Sequence, residues 1–317
     1  MKRVVLRRLP DGSLRNVQPF HISLEGLERV VLCRDDEDYD AMVKILCVCA
    51  RRKNVILVIY VVVSNHCHAV ALARCQKDAD DFGEEVKRIA AMWFSRKNGE
   101  SKALKGTDVK AICLDSDWYV RNALAYVPRN ALDNGCNVNE YPWSGYRAMF
   151  SQDILERAGA RLVSSLCRDE MRRIMHTGDR LNDVPWLLDG SGRLVPSSIC
   201  DCDYLEQAFE NDQSYFLRTI GSLNLAEMNQ KLIDNPRKRL VDSEFYKIAA
   251  EMSLRWFKTE LPKLSIEHKI RMIPYIFRTM RTSVPQLART FGLSRDEVGK
   301  ILGRQGGKRK VGPCRHD

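Results

Sequence analysis

The residues best suited to chemistry are His66 and His68, which flank Cys67 and follow Asn65. In an extended strand side chains alternate between faces, so the two imidazoles share one face while Cys67 points to the other. Two imidazoles on one face supply half of a divalent metal site. A second pair lies downstream, where Tyr126 and Asn130 stand four residues apart. On a helix that spacing puts both on one face, about a turn apart. A phenol and an amide beside two metal-binding imidazoles suggest a metal-assisted nucleophile. Taken singly, the histidine pair also fits a structural role, and Tyr126 fits an ordinary core or surface tyrosine. Tyr119, Tyr141 and Tyr146 are rivals, but none has an amide four residues on.

The elements that must position these groups can be read from patterning. The β-branched, apolar run Val55 to Val63 is a buried strand. Ser64-Asn65 then makes a tight turn into a second, antiparallel strand from His66 to Ala73. Upstream, a polar lead-in holds the turn Pro10-Asp11-Gly12, and Phe20 to Leu24 form a first strand, on which His21 reads as structural. The acidic stretch Asp35 to Asp40 suits the first turn of a helix running to about Arg52. Phe82 to Arg96 has helical periodicity ended by Asn98-Gly99. Val109 to Leu114 makes a short strand, and Ser116 caps a helix starting at Asp117. Within that helix Pro128 stands between Tyr126 and Asn130, where a proline costs about 3 kcal/mol outside the first turn. The order is β-α-β-β-α-β-α, an α+β architecture with an antiparallel sheet and helices on one side of it.

Composition narrows the class. The chain has 317 residues, 44% hydrophobic and 29% charged, with a net charge of +10 and a pI near 9.1. That balance suits a polyanionic partner without identifying one. Eleven cysteines occur with no CxxC pair; Cys47/Cys49 and Cys200/Cys202 have CxC spacing, which is not the usual zinc knuckle. Most others sit among apolar residues, so a reducing, cytoplasmic setting is expected. The basic start, Met1 to Arg8, lacks the apolar core of a signal peptide. The run Val55 to Val63 is far short of the roughly 20 residues of a membrane span.

Asn65-His66-Cys67-His68, Tyr126-Val-Pro-Arg-Asn130 and Tyr141-Pro-Trp-Ser-Gly-Tyr-Arg147 occur in that order. Together they resemble the motifs of the single-tyrosine HUH transposases, particularly the REP-associated tyrosine transposases, whose pattern is a PNHxH strand, a YIHxNP helix and a YPWSSY segment. The resemblance covers about residues 20–150. It implies an HUH, ferredoxin-like domain with Tyr126 as nucleophile and His66, His68 and Asn130 as ligands of Mg²⁺ or Mn²⁺. It further implies cleavage and joining of single-stranded DNA near a hairpin, through a 5′-phosphotyrosine intermediate. The bound ion would polarise a non-bridging phosphate oxygen. Lys110, Arg121 and Arg129 are candidate phosphate contacts. The chain departs from the pattern at Ser64, where the family has proline, at Cys67, at Pro128, and at Ala131, which replaces a proline.

The second half reads as helix from Gln152 to Leu302, broken around Asp189-Gly190-Ser191-Gly192 and Asn235-Pro236. Ser283 to Leu302 carries the marks of a helix-turn-helix. Ser283 caps, Pro285 lies in the first turn, Leu287 and Ala288 face inward, Gly292 turns, and Ser294 caps a second helix bearing Val298 and Ile301. Arg289, Arg295 and Lys300 are its candidate contacts to duplex DNA, and Lys308-Arg309-Lys310 form a basic tail. The expected division is a nuclease domain over 15–150, a helical region of unassigned role over 151–265, the helix-turn-helix over 266–303 and the tail over 304–317. The rival reading is a DNA-binding regulator whose nuclease site has decayed. A replication or relaxase-type nickase is disfavoured by the Tyr141–Arg147 segment.

Overall fold

The computed structural model describes residues 3–25, 31–99, 104–133, 136–221, 242–280 and 282–306. The fold is α+β. Its sheet holds β1 (Val5–Arg8), β2 (Leu14–Glu25), β3 (Ile56–Val62), β4 (Cys67–Ala73) and β5 (Asp108–Cys113), and all four pairings are antiparallel. β4 lies between β2 and β3, and β2 also pairs with β1 and β5. The expected order is recovered from β2 onward. The polar lead-in is part of the sheet: β1 and β2 form a hairpin closed by Gly12, whose φ of 82° lies in the left-handed region open to glycine.

Two layers of helix sandwich this sheet, where the sequence suggests helices on one side only. Phe20, Ile22 and Leu24 stand opposite Ala71, Ala69 and Cys67, so these six share one face. α2 (Gln76–Asn98) lies on that face so closely that a Cβ on Gly83 would come within 2.4 Å of Val109 Cγ1 and 3.3 Å of Ile22 Cγ2. α1 (Asp36–Arg52) packs beside α2 and on β3. Asp35 caps α1 by accepting a hydrogen bond from the Asp38 amide, as the acidic stretch predicts. α3 (Asp117–Asp133) packs on β3 and β4, and its Tyr126 ring meets the histidines of the opposite face. The free edge of β3 is covered by the segment after α3. Val62 N–H donates to Trp143 O at 2.9 Å, Tyr141 Oη donates to Val62 O at 2.7 Å, and Ser144 bridges to Val61.

Beyond residue 150 helix is sparse. α4 (Ile154–Ala158), α5 (Arg168–Met175) and α6 (Cys202–Ala208) are short, and β6 (Arg161–Leu162) pairs with β7 (Leu187–Leu188). Pro185, Asp189 to Gly192 and Pro196 interrupt the periodicity that suggests continuous helix. Together with α7, over 213–221, this stretch joins the hydrophobic core of the sheet, which runs from Leu9 to Ile220. A second core, from Phe245 to Ile301, is built by α8 (Asp242–Phe257), α9 (Ile266–Thr279), α10 (Val284–Phe291) and α11 (Arg295–Gly306). Ser283 and Ser294 cap α10 and α11, and Gly292 closes α10 at φ 62°. Leu287, Ala288, Val298 and Ile301 are buried. The expected break at Asn235-Pro236, the Lys308–Lys310 cluster and most of the tail lie outside the described residues. Among the described residues no helix is long and apolar enough to cross a membrane.

The tight seating of α2 gives Gly83→Ala an expected sign. Overpacking costs about 1–3 kcal/mol and exceeds the gain of up to about 1 kcal/mol from replacing a helical glycine, so the urea midpoint falls. Gly303→Ala in α11, where a Cβ meets nothing within 4 Å, raises it.

Candidate functional site

β4 builds the site by alternation. Cys67 turns into the core against α2, where burial pushes its thiol up to about 12. His68 turns to the opposite face. His66 sits one residue before β4, its carbonyl accepting from Val63 N–H at 3.0 Å to close the Ser64-Asn65 turn. The two imidazoles lie 4.9 Å apart between ring centroids, nearly perpendicular. The sheet register then brings in a third. Ser23 stands opposite His68 and His21 opposite Val70, so His21 is the diagonal neighbour of His68 on the same face. Their rings stack at 5.2 Å, with His21 Nε2 3.2 Å from His68 Nδ1.

These contacts determine which nitrogens can serve a ligand. Asn65 Oδ1 lies 2.8 Å from His66 Nδ1, and only a protonated Nδ1 can donate to it. His66 therefore keeps its lone pair on Nε2. His68 presents Nε2 in the same way when its Nδ1–H donates to His21. Burial, with His66 and His21 close by, pushes the His68 imidazole well below the usual histidine range, so it is neutral at physiological pH. Neutral imidazoles whose Nδ1 atoms are occupied are the form that binds metal.

α3 supplies the other half. Ser116 Oγ accepts from the Tyr119 amide at 3.2 Å and starts the helix where the sequence predicts. The helix continues through Pro128 to Asp133. The Tyr126 ring meets His68 edge-on at 5.4 Å and His21 at 6.0 Å, and the side chain is 39% exposed. One turn on, the buried Asn130 donates from Nδ2 to the carbonyls of Tyr126 and Val127, at 3.0 and 3.2 Å. Both bonds hold the Asn130 NH₂ against the helix. The rival tyrosines separate by burial: Tyr141 and Tyr146 are buried, whereas Tyr119 is exposed two turns before Tyr126.

Among the described residues no group of three or more His, Cys, Asp or Glu side chains could hold a metal ion. A divalent ion here would draw on the Nε2 atoms of His66 and His68 and the Asn130 oxygen, with other positions taken by water or substrate. The amide oxygen and water are donors of the kind Mg²⁺ and Mn²⁺ take, whereas imidazole also suits softer divalent ions. The candidate phosphate contacts are dispersed. Lys110 is exposed on β5 opposite Ser23, on the histidine face, and Arg121 and Arg129 are half-buried on α3. Arg295 and Lys300 are exposed on α11. Arg289 differs from expectation: its guanidinium is ion-paired to Asp242 at 2.7 Å and only 15% exposed.

Sequence reasoning missed His21, whose role depends on register. The signal was present in the alternation Phe20, Ile22, Leu24, which commits His21 and Ser23 to the other face. The chain matches no protein-family model, no curated protein and no solved structure.

His68 makes stability depend on pH. Its folded-state value lies below its unfolded value, so the unfolded chain binds the extra proton and stability falls as pH drops below about 6.5. In an NMR titration His68 stays neutral where an exposed histidine protonates. Burial is the first cause of the lowered His68 value and the nearness of His21 a lesser one, so His21→Ala moves the His68 midpoint up; an unmoved midpoint counts against the pairing.

Proposed function

We propose that the chain is an HUH-type, metal-dependent single-stranded DNA endonuclease and strand transferase that works through Tyr126. The observation carrying this reading is the approach of the half-exposed Tyr126 ring to the neutral, buried His68, with Asn130 tied to the carbonyl of Tyr126 itself. A phosphate lying on the histidine face would meet the phenol on one side and the Nε2 atoms on the other. When bound, Mg²⁺ or Mn²⁺ would supply Lewis-acid polarisation of a non-bridging oxygen. Tyr126 Oη attacks phosphorus in line; the P–Oη bond forms and the bond to the 3′ oxygen breaks. Net, the phenol proton passes to the leaving 3′ oxygen. A 5′-phosphotyrosine and a free 3′-OH result, and the exchange of one ester for another needs no nucleoside triphosphate for rejoining.

A single strand suits the surroundings. Ile112, paired with His21 in register, is 56% exposed, and Trp118 and Tyr119 at the start of α3 are 64% and 54% exposed. Exposed aromatic rings two turns from the tyrosine on the same helix favour unpaired bases, which stack on such rings for about 1–3 kcal/mol each. α10 and α11 act in this reading as a helix-turn-helix, with Arg295 and Lys300 toward duplex DNA and Arg289 bracing it from within. Tethering that module to the nuclease raises the local concentration of the cleavage site.

The test is incubation with a single-stranded hairpin DNA and Mn²⁺, followed by a denaturing gel. The wild-type chain gives a covalent protein–DNA adduct, Tyr126→Phe gives none, and His68→Ala and Asn130→Ala strongly reduce it. Hairpin binding without any wild-type adduct would overturn the enzyme in favour of a DNA-binding regulator. An adduct that survives Tyr126→Phe removes Tyr126 as the nucleophile. Trp118→Ala weakens binding of the single strand about tenfold, matching the loss of one stacked base.

A further inference from the structure

The turn that presents His66 is held by a residue far away in the chain. Ser64 is buried, its carbonyl accepting from the amides of Leu32 and Cys33 at 2.6 and 2.8 Å. Its hydroxyl donates to Asp242 Oδ2 at 2.6 Å, across 178 positions of sequence. Asp242 opens α8 and is only 2% exposed. Its carboxylate also accepts from Gln286 Nε2 at 2.9 Å and from Arg289 Nε at 2.7 Å, both on α10. One buried carboxylate thus joins the metal-side turn to the first helix of the terminal pair. Arg34, just before α1, adds a second contact, its guanidinium 5.3 Å over the Tyr246 ring of α8.

We infer that Asp242 is a positioning residue for the candidate metal site, acting through Ser64 and with its own orientation set by Gln286 and Arg289. The inference rests on the reading of His66 and His68 as ligands. Ser64 is followed directly by Asn65, whose side chain orients His66. Rotation of that turn would move Asn65 Oδ1 and His66 Nε2 together. A carboxylate with its lone pairs occupied by a guanidinium, an amide and a hydroxyl has a single low-energy orientation, and it passes that constraint to the turn. A proline at position 64 would stiffen the turn from within; serine leaves it to be held from outside. Residues that orient a metal ligand typically change metal affinity 10- to 100-fold when lost.

The experiment compares the full chain with Ser64→Ala, Asp242→Asn, Asp242→Ala and Gln286→Ala. Mn²⁺ affinity is measured by calorimetry, and amide hydrogen exchange at Leu32, Cys33 and the turn by mass spectrometry. Ser64→Ala weakens Mn²⁺ binding about tenfold and speeds exchange at Leu32 and Cys33, while the amides of the β2–β4 ladder stay protected. Gln286→Ala, whose amide donates to Asp242 from α10, acts in the same direction but less. Asp242→Asn keeps an acceptor for Ser64 and retains more affinity than Asp242→Ala. Ser64→Ala with affinity within twofold of wild type and unchanged exchange overturns the inference. If the wild-type chain binds no Mn²⁺, the metal-site reading fails and the positioning role with it; faster turn exchange in Ser64→Ala and Gln286→Ala then shows that Asp242 holds the turn, and unchanged exchange shows that it does not.

Discussion

The structure depends on the pairing of β4 with a strand on each side. An outer strand can slip in register by trading one set of hydrogen bonds for water, but β4 is locked to β2 and β3 at once. A slip by one residue would send Cys67, Ala69 and Ala71 outward and bury His68 and Val70 against α2. The seating of α2 on Ile22 and Val109 leaves no room for that exchange. Two-sided pairing therefore commits His68 to the face opposite α1 and α2. The same register brings His21 beside it.

What closes on that face is α3, which covers only part of the sheet. The helix packs on β3 and β4 and leaves exposed the Lys110 and Ile112 side chains that β5 presents to the same side. Tyr126 sits at this boundary, close enough to His68 and His21 for edge contact and still open to solvent. Proline within the helix removes one backbone donor. The side-chain NH₂ of Asn130, two residues after it, donates back to the carbonyls of Tyr126 and Val127 just before it, so Tyr126 and Asn130 stay linked. The Tyr141–Arg147 segment does its part elsewhere, by covering the edge of β3. Gly145 there comes so near Tyr60 that a Cβ would meet its amide nitrogen at 3.1 Å.

Charge is spent internally as well as at the surface. Asp242 gathers Ser64, Gln286 and Arg289 in a setting almost without solvent, where loss of one partner leaves a buried charge unmatched. Arg52 joins Glu85 and Asp179, and Lys97 joins Asp35, Glu37 and Asp38. A net charge of +10 is therefore an imperfect guide to which cations are available to a polyanion. Arg289 is the clearest instance, because helical spacing alone presents it to a partner outside the chain.

Local order was legible in the sequence. Phe20–Leu24 marks part of β2, the β-branched run marks β3 and the Ser64-Asn65 turn leads into β4. Capping serines and left-handed glycines mark the end of α2, the start of α3, both ends of α10 and the start of α11, while α2 starts six residues before the Phe82 that periodicity suggests. Period-two and period-3.6 spacing pair His66 with His68 and Tyr126 with Asn130. Those features depend on residues within a turn or two of each other, and the physics that sets them is equally local. β1 leaves only a weak pattern in the sequence, because its exposed residues alternate with half-buried ones rather than with buried ones. The stretch after residue 150 has the periodicity of helix, but its prolines and glycines divide it into short pieces. Three things were decided only by the tertiary structure: His21 joining the histidine pair, Asp242 taking hold of Ser64, and Arg289 turning inward. Each requires segments tens to hundreds of residues apart to meet, and their meeting is set by strand register and helix packing, which no spacing along the chain encodes.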